Sequence, residues 1–190
     1  MLTAHKKSSG VLTGVQAGLT LIELMVVVSV LGILTALAMP NYRIWIENTR
    51  IRNAAESIQT GLQKARLEAI KHNAPVRFVL GANSAWTVGC VTPVLDINND
   101  GVDDCPATIE SRAASEGSSA NISVTVTPNG ATTSIFNNLG TVATPVRFDV
   151  DSATLTAAAS RDLRINIGVG GISRMCDPYS GLAAADPRRC

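Results

Sequence analysis

Side chains that could hold a cation are concentrated between positions 96 and 104. Asp96, Asn98 and Asp100 occupy the first, third and fifth positions of a calcium-loop pattern, and Asp104 occupies the ninth. Ca²⁺ prefers such oxygen ligands, but the twelfth position, which should supply a bidentate carboxylate, is Ala107. Asn, Asp and Gly also adopt turn conformations readily, so a plain hairpin tip is the alternative interpretation. The stretch therefore predicts at most a weak calcium site.

Arginines that could contact phosphate groups lie near the end of the chain, at Arg174, Arg188 and Arg189. Asp177 and Asp186 interrupt this basic set, and surface arginines are commonly paired or solvated. The formal net charge of the chain is +1, which gives no global argument for binding nucleic acid. DNA is therefore an alternative partner and not the expected one.

Catalytic chemistry finds no support in the sequence. His5 lies in the N-terminal stretch, and His72 stands alone near a predicted helix end, where its charge suits the helix dipole. The sequence contains no phosphate-binding loop and no recognisable motif that pairs a serine or cysteine with a base. We therefore expect neither an enzyme nor a cofactor.

Glu23 is the one charged residue in the apolar run from Leu19 to Met39, which has 21 residues. A helix of that length rises about 30 Å, the thickness of a bilayer core. Lys6 and Lys7 precede the run without any acid, a pattern that keeps the leader in the cytoplasm. A cleaved secretory signal fits less well, because no small-residue cleavage site follows the run. A carboxylate in hydrocarbon costs at least ~2.5 kcal/mol, so Glu23 either needs a partner or extends to the headgroups.

The six residues GLTLIE, positions 18–23, resemble the processing signal of type IV pilins and pseudopilins. The resemblance implies that prepilin peptidase cleaves after Gly18, so that the mature chain begins at Leu19 with a methylated amine. Phe is usual at that first position, so Leu19 is a departure. Glu23 matches the family's glutamate, which pairs with the N-terminal amine of a neighbouring subunit, and Pro40 falls at the family's usual helix kink. The resemblance thus gives Gly18 and Leu19 a role in processing, and Glu23 and Pro40 a role in filament assembly.

A second helical pattern follows the apolar run and continues through Pro40. Apolar residues recur at spacings of three, four or seven among charged ones, which predicts an amphipathic helix that ends at Asn73-Ala74-Pro75. The predicted apolar stripe consists of Ile44, Ile51, Ala55, Ile58, Leu62, Ala65 and Ala69. Gly61 weakens this helix by up to ~1 kcal/mol without ending it.

Alternating apolar residues and turn signals after position 75 predict eight short strands. These strands are Val76–Leu80, Ala85–Val91, Ile122–Thr127, Thr133–Phe136, Val146–Val150, Thr154–Thr156, Leu163–Ile167 and Ile172–Met175. Residues 111–120 are small and polar and predict a surface loop. A long helix packed on antiparallel sheet is an α+β fold, and the resemblance implies the type IV pilin fold.

The C-terminal half resembles the GspH/FimT/FimU branch of minor pilins. The helix end LQKARLEAI, the Trp-containing hairpin that follows it and the late GVGGISRMCDP carry this resemblance. Relatives of the FimT kind bind DNA through a C-terminal G-R-x-R element. The matching window runs from Gly171 to Arg174, where Ile172 replaces the first arginine, so the resemblance gives little support to DNA binding.

Four cysteines allow three pairings. All four follow the apolar run, on the side of the membrane predicted to be periplasmic or extracellular, where disulfides persist. We favour the two local pairings. Cys90–Cys105 would close the hairpin around residues 96–104, and Cys176–Cys190 would tie the last residue to the final strand. A zinc site is the alternative, but the chain has no C-x-x-C motif and no His near the cysteines.

These features divide the chain into a leader, 1–18, a transmembrane and filament-core helix, 19–40, an amphipathic helix half, 41–74, and a β-rich periplasmic head, 75–190. The resemblance implies a minor pilin of a Gram-negative bacterium. It would be held in the inner membrane by one span and then enter an extracellular type IV pilus, where it initiates assembly at the tip for twitching motility and adhesion.

The expected partners are other minor pilins, the major pilin, prepilin peptidase and the inner-membrane assembly platform. Three alternatives stay open. The first is a GspH-like pseudopilin of type II secretion, and the second is a FimT-like DNA-uptake pilin. The third, from a different class, is a singly anchored periplasmic binding protein with no filament role.

Overall fold

The computed structural model describes residue 18 and residues 20–97 and 104–190, and this part contains one long helix followed by eight strands. The helix, α1, comprises Leu21–Lys71. The strands are β1 (Val76–Leu80), β2 (Trp86–Cys90), β3 (Glu110–Arg112), β4 (Ile122–Thr127), β5 (Thr133–Phe136), β6 (Val146–Ser152), β7 (Leu163–Ile167) and β8 (Ser173–Cys176). The chain divides into two compact units, Met1–Pro40 and Asn41–Cys190; the second is called the head below.

The strands form two four-stranded antiparallel sheets within the head. The first sheet has the order β3-β2-β1-β5 and the second has the order β4-β6-β7-β8. Phe78 lies opposite Val88 in the first sheet, and Phe148 lies opposite Ile165 in the second. Successive side chains of a strand point to opposite faces, so alternate residues of β1 and β6 are buried. The α+β prediction is confirmed.

Most of the strand predictions are confirmed, whereas one predicted strand is absent and one predicted loop begins within a strand. β1, β4, β5 and β7 have the predicted bounds, and β2, β6 and β8 differ from them by one or two residues at an end. Thr154–Thr156 is not a strand, because the Thr156 carbonyl accepts hydrogen bonds from the amides of Ala159 and Ser160 and so begins a helical turn. Residues 111 and 112 belong to β3, an edge strand too short and too polar to show an alternating pattern.

The apolar stripe of α1 forms one core with both sheets. Ile51, Ala55, Ile58, Leu62, Ala65 and Ala69 are buried as predicted, the unpredicted Ala54 joins them, and Ile44 is half-buried. The rings of Phe78 in β1 and Phe148 in β6 meet edge to face with centroids 5.9 Å apart. Because these two rings come from different sheets, the core is shared and neither sheet folds around a core of its own.

Gly61 is needed for the close approach of α1 to the first sheet. A Cβ atom at this position would lie 2.8 Å from Cε2 of Phe78 and 2.8 Å from Cδ2 of Trp86. One turn earlier, Ser57 accepts a hydrogen bond from the indole Nε1 of Trp86 at 2.8 Å. The sequence interpretation treated Gly61 only as a weak point of the helix, whereas its missing side chain makes room for two aromatic rings.

Candidate functional site

The start of α1 is capped by Thr20. Its side-chain Oγ1 accepts a hydrogen bond from the Glu23 amide at 3.2 Å, and its carbonyl accepts one from the Leu24 amide at 3.1 Å. Thr20 is therefore the N-cap and Glu23 the third helical residue, the spacing of a capping box. A carboxylate in the first turn also interacts favourably with the helix dipole. Glu23 thus stabilises the helix start in addition to any role outside the chain.

The segment on both sides of Glu23, from Leu21 to Met39, exposes apolar side chains all round the helix. The exposed large apolar residues here are Leu21, Ile22, Leu24, Met25, Val26, Val27, Val28, Val30, Leu31, Ile33, Leu34, Leu37 and Met39. By length and composition, α1 is suited to cross a membrane. Its hydroxyl groups are satisfied within the helix, since Ser29 Oγ donates to the Met25 carbonyl at 2.8 Å and Thr35 Oγ1 to the Leu31 carbonyl at 2.9 Å.

The other residues predicted for processing and assembly lie around this segment. Gly18 is exposed, and no atom lies within 4 Å of the position that a Cβ would take there. Leu19 lies outside the described residues. Pro40 falls within the bounds of α1, so the helix continues through it. Glu23 is the only charged residue between Gly18 and Met39 in the sequence.

Two aromatic residues follow the apolar segment and were not singled out from the sequence. Tyr42 and Trp45 are exposed, and their rings stack with centroids 5.9 Å apart. Tyr and Trp are enriched where a membrane span meets water, because their rings are apolar with one polar atom. Their position three to six residues after Met39 was the signal that could have identified them.

The three C-terminal arginines have different partners in the structure. Arg188 donates from Nη2 to Asp186 Oδ2 at 2.8 Å, and this partner lowers the pKa of Asp186 to about 2. Arg189 donates to the Leu182 carbonyl at 3.5 Å. Arg174 is exposed on the strand β8, opposite Asn166 in the register. The pairing of Arg188 with Asp186 reduces the positive charge that this residue offers to a phosphate.

An open groove of about 720 Å³ lies beside Arg188 in the head, with Trp45, Arg52 and Arg161 also in its lining. Asn48 fixes one wall, because its side chain donates to the Ala159 carbonyl at 2.9 Å and accepts from the Arg161 amide at 2.8 Å. Arg52 is paired with Glu56 at 2.8 Å, as Arg188 is with Asp186. These pairings reduce the positive charge that the groove offers to an anion.

The candidate calcium loop is only partly described. Asn98 and Asp100 lie outside the described residues. The Asp104 carboxylate accepts a hydrogen bond from the Ile97 amide at 2.8 Å, and Val94 pairs with Cys105 as an isolated bridge. Among the residues that the structure describes, no group of three or more His, Cys, Asp or Glu could hold a metal ion.

Both disulfides in the structure are local. Cys90 is bonded to Cys105 with Cα atoms 5.8 Å apart, and Cys176 to Cys190 with Cα atoms 5.1 Å apart. Cys90 and Cys105 are buried, whereas Cys190 is exposed. The first bond therefore supports the core, and the second holds the C-terminal segment against Asp177, whose carbonyl accepts from the Cys190 amide.

Glu68 is a buried charge centre that the sequence reasoning missed. Its carboxylate is contacted by Lys64 at 3.5 Å, Lys71 at 3.2 Å and His72 Nε2 at 3.1 Å. Burial opposes its ionisation, but the hydrogen bond from Lys71 and the charges of Lys71, Lys64 and His72 outweigh burial and lower the pKa of Glu68. Lys64 also reaches Glu110 in β3 at 3.6 Å, so this centre connects the end of α1 to the edge of the first sheet. The i, i+3 and i, i+4 spacings were its only sequence signal.

A second unpredicted group lies beside the second sheet, where Asp151 of β6 interacts with Asp162, the residue before β7. Asp151 accepts from Ser160 Oγ at 2.5 Å and from the Ser152 amide at 2.6 Å. Burial and the neighbouring Asp151 raise the pKa of Asp162. Burial also opposes ionisation of Asp151, but hydrogen bonds from Ser160, Asp162 and the Ser152 amide lower its pKa. The opposite directions mean that Asp162 holds a proton more readily than Asp151.

Comparison with known proteins identifies related chains. A family model described as Type II transport protein GspH matches residues 54–171, and one described as Prokaryotic N-terminal methylation motif matches residues 14–39. A fimbrial protein of Pseudomonas aeruginosa is 41% identical over 56 residues, which are 28% of this chain and 36% of the relative. Pilin-like protein PilA1 of Thermus thermophilus is 44% identical over 57 residues, 30% of this chain and 35% of the relative. The chain thus spans about a third of the length of these relatives.

Among solved structures, the fold is similar to that of the type IV minor pilin FimU of Pseudomonas aeruginosa. The TM-score is 0.51 at 18% sequence identity, and the alignment covers 74% of this chain and 97% of that one. At this identity the likeness concerns the fold alone. The methylation motif covers the segment that contains Glu23, and the longer family match covers most of the head.

Proposed function

Because the chain belongs to the GspH/FimT/FimU family of type IV minor pilins and pseudopilins, we propose that it enters a type IV pilus and helps to initiate pilus assembly. Membership of this family makes it a structural, pilin-like protein. The finer assignment, to a minor pilin that primes the filament tip, is our proposal. In that role the chain would contact other minor pilins and the major pilin, and it would serve twitching motility and adhesion through the pilus.

Processing and membrane insertion come first in the proposed sequence of events. Prepilin peptidase removes residues 1–18 on the cytoplasmic face, and the new chain begins with a methylated amine at Leu19. The apolar start of α1 then holds the subunit in the inner membrane with its head in the periplasm. When the assembly platform adds the subunit to the filament, the same apolar surface enters the filament core.

The observation that carries this proposal is the position of Glu23. It is a lone carboxylate at the third position of a capped helix, followed by apolar side chains that are exposed all round the helix. The hydroxyl groups of Ser29 and Thr35 are satisfied within the helix, but a carboxylate in hydrocarbon needs a cationic partner. An α-amino group, with a pKa of roughly 8, is largely positive at neutral pH and suits that partner. The amine of a neighbouring subunit would then fix the axial register of the filament.

The test is the number of surface pili on a deletion strain that carries the gene on a plasmid. The wild-type chain should restore pili, and Glu23→Ala should not. The variant subunit still enters the membrane, but it lacks the carboxylate that sets its axial position in the filament. Glu56→Ala is the matched control, since Glu56 is an exposed carboxylate on the same helix with a surface ion pair to Arg52. Western blots of the membrane fraction check that all variants are present at equal levels. Normal numbers of pili with Glu23→Ala would refute the proposed role of Glu23.

A pseudopilin of type II secretion is the second candidate, favoured by the description of the matching family as Type II transport protein GspH. If the deletion strain makes normal pili, release of exoproteins by the same strain becomes the deciding measurement. Loss of exoprotein release, restored by the plasmid, would assign the chain to the secretion machine. Transformation frequency measured alongside tests the DNA-uptake alternative, which the pairing of Arg188 with Asp186 does not favour.

A further inference from the structure

An exposed group of aliphatic side chains surrounds the last turns of α1. We call Leu67, Ile70, Leu139, Val169 and Ile172 the apolar patch. Each of these side chains is about half or more exposed, from 49% for Ile70 to 72% for Leu139. Single exposed aliphatic residues are normal on a soluble surface, but a contiguous group of them marks an interaction site.

The members of the apolar patch lie side by side. Leu67 and Ile172 line the same small groove of about 250 Å³. Ile70 lies beside Gly140, since a Cβ on Gly140 would approach its Cδ1 to 2.9 Å, and Leu139 directly precedes that glycine. The loop from 168 to 172 closes the group, because the Val169 carbonyl accepts a hydrogen bond from the Val142 amide at 3.1 Å.

The backbone that presents the patch is firmly placed. Gly171 has a φ of +71°, and a Cβ there would overlap the carbonyl oxygen of Gly140, so only glycine allows the two loops to meet. Arg66 fixes the same loop from the helix, because its Nε donates to the Gly140 carbonyl at 3.2 Å. Two loops held in this way present Leu139 and Ile172 to the outside as a preformed surface.

The charges that border the apolar patch are mostly positive. Residues 137–142 and 168–173 contain no charged side chain. Arg66 and Lys71 border the patch on α1, and Arg174 follows Ile172 by two residues. The one carboxylate in this part of the helix, Glu68, is buried. A second copy that docked symmetrically through the same patch would bring like charges together, whereas a surface with carboxylates at its border would be attracted.

The size of the patch restricts the kind of contact further. Five partly exposed aliphatic side chains offer a few hundred Å² of apolar surface, less than the roughly 800 Å² per partner of a stable interface. Such a contact is weak between free proteins. It becomes effective when both partners are tethered by their own helices in one membrane or filament, because tethering raises the effective concentration.

From these observations we propose that the apolar patch docks the head of a different, neighbouring pilin, on a surface where aliphatic side chains are flanked by carboxylates. This inference rests on the proposed pilin function and names the face of the head that serves it. The patch buries its aliphatic residues against that neighbour, and Arg174 meets the flanking carboxylates, since Lys71 is already paired with Glu68.

The experiment is site-specific photocrosslinking in piliated cells of the complemented deletion strain. The full-length chain carries a photoreactive amino acid at Ile172, or at Tyr179 as a control, because Tyr179 is equally exposed but lies outside the patch. Mass spectrometry of the crosslinked peptides identifies the partner and the attachment site. We expect the Ile172 probe to form an adduct with another pilin's head, on a peptide that contains Asp or Glu, and the Tyr179 probe to form several-fold less of it.

Charge reversal separates the proposed contact from a chance encounter. Arg174→Glu should reduce the adduct several-fold, Arg174→Gln should reduce it less, and Arg161→Glu, an exposed arginine outside the patch, should leave it unchanged. An adduct with a second copy of this chain, no adduct with any pilin, or an adduct that does not respond to Arg174→Glu would each overturn the proposal. Restored pili without an adduct would refute only the docking face, whereas normal pili in the deletion strain would refute the priming function itself.

Discussion

The two parts of α1 use the same aliphatic residues in opposite ways. The large apolar side chains between Leu21 and Met39 are 48–78% exposed, whereas the stripe residues from Ile51 to Ala69 are at most 1% exposed. The first part is apolar all round the helix, so its partners must surround it on every side and come from outside the chain. The second part is apolar on one stripe, which the two sheets of the same chain cover. The first part is therefore suited to contacts with other molecules during assembly, and the second part stabilises the fold of the head.

The largest expected effect comes from shortening the same residue type in each part. Ile58→Ala should lower the free energy of unfolding of the head by about 2–5 kcal/mol, because the side chain is fully buried and leaves a cavity. Ile33→Ala is the matched control and should leave this free energy unchanged, since Ile33 is 63% exposed. The measurement is denaturant unfolding of the full chain in detergent, followed by near-ultraviolet circular dichroism. Equal losses of unfolding free energy in the two variants would contradict the different roles of the two parts of α1.

Removing the buried disulfide should have the next largest effect, again confined to the head. Cys90→Ala with Cys105→Ala opens a loop of 15 residues and should cost about 3 kcal/mol in the chain-entropy model. Cys176→Ala with Cys190→Ala opens a similar loop of 14 residues, but the bond that is lost holds only an exposed chain end, so we expect a smaller loss of head stability. Chemical denaturation of the two double variants compares them directly. A larger loss from the C-terminal pair would show that the hairpin is not part of the cooperative core.

The two glycines of α1 provide a third comparison. Gly61→Ala should destabilise the head by about 1–3 kcal/mol, because the new Cβ meets Phe78 and Trp86 at 2.8 Å and this overpacking exceeds the gain in helix propensity. Gly32→Ala should leave the head unaffected, since no atom lies within 4 Å of its Cβ position. Thermal unfolding of both variants gives the answer. A stabilised Gly61→Ala variant would mean that helix propensity, and not packing on the rings, decides this position.

These glycines also illustrate what the sequence can and cannot predict. The bounds of β4, β5 and β7 follow from alternation and turn residues, which are properties of neighbouring positions. β3 has three polar residues without such a pattern, and it is a strand only because β2 pairs with it. The role of Gly61 depends on two rings from β1 and β2, so no local pattern contains it. The same holds for Ala54, which extends the buried stripe beyond its predicted members.

The candidate functional residues also fall into those that the sequence alone identifies and those that only the structure identifies. The residues 18–23 form a contiguous motif, so the sequence identifies them, while their proposed partners lie on other molecules. The apolar patch brings together residues from three separate segments, around 67–70, 139 and 169–172, and its existence depends on the folded loops. Ile172 was predicted as the first residue of a strand, and only the structure places it outside β8 and on the surface.

The smallest expected effect concerns the charges at the end of α1, where the helix meets β3. The pKa of Glu68 is lowered in the folded state, so the group stabilises the fold above its ordinary value of 4.5, and this contribution is lost as the pH falls through the lowered pKa. Glu68→Gln should therefore reduce head stability at neutral pH, by less than about 1 kcal/mol for a partly solvated network, and the difference from wild type should disappear in acid. Glu23→Gln is the control in the other part of α1 and should not change the head's pH profile. If Glu68→Gln lost as much stability in acid as at neutral pH, the contribution of Glu68 would come from its packing and hydrogen bonds, and not from its charge on Lys64, Lys71 and His72.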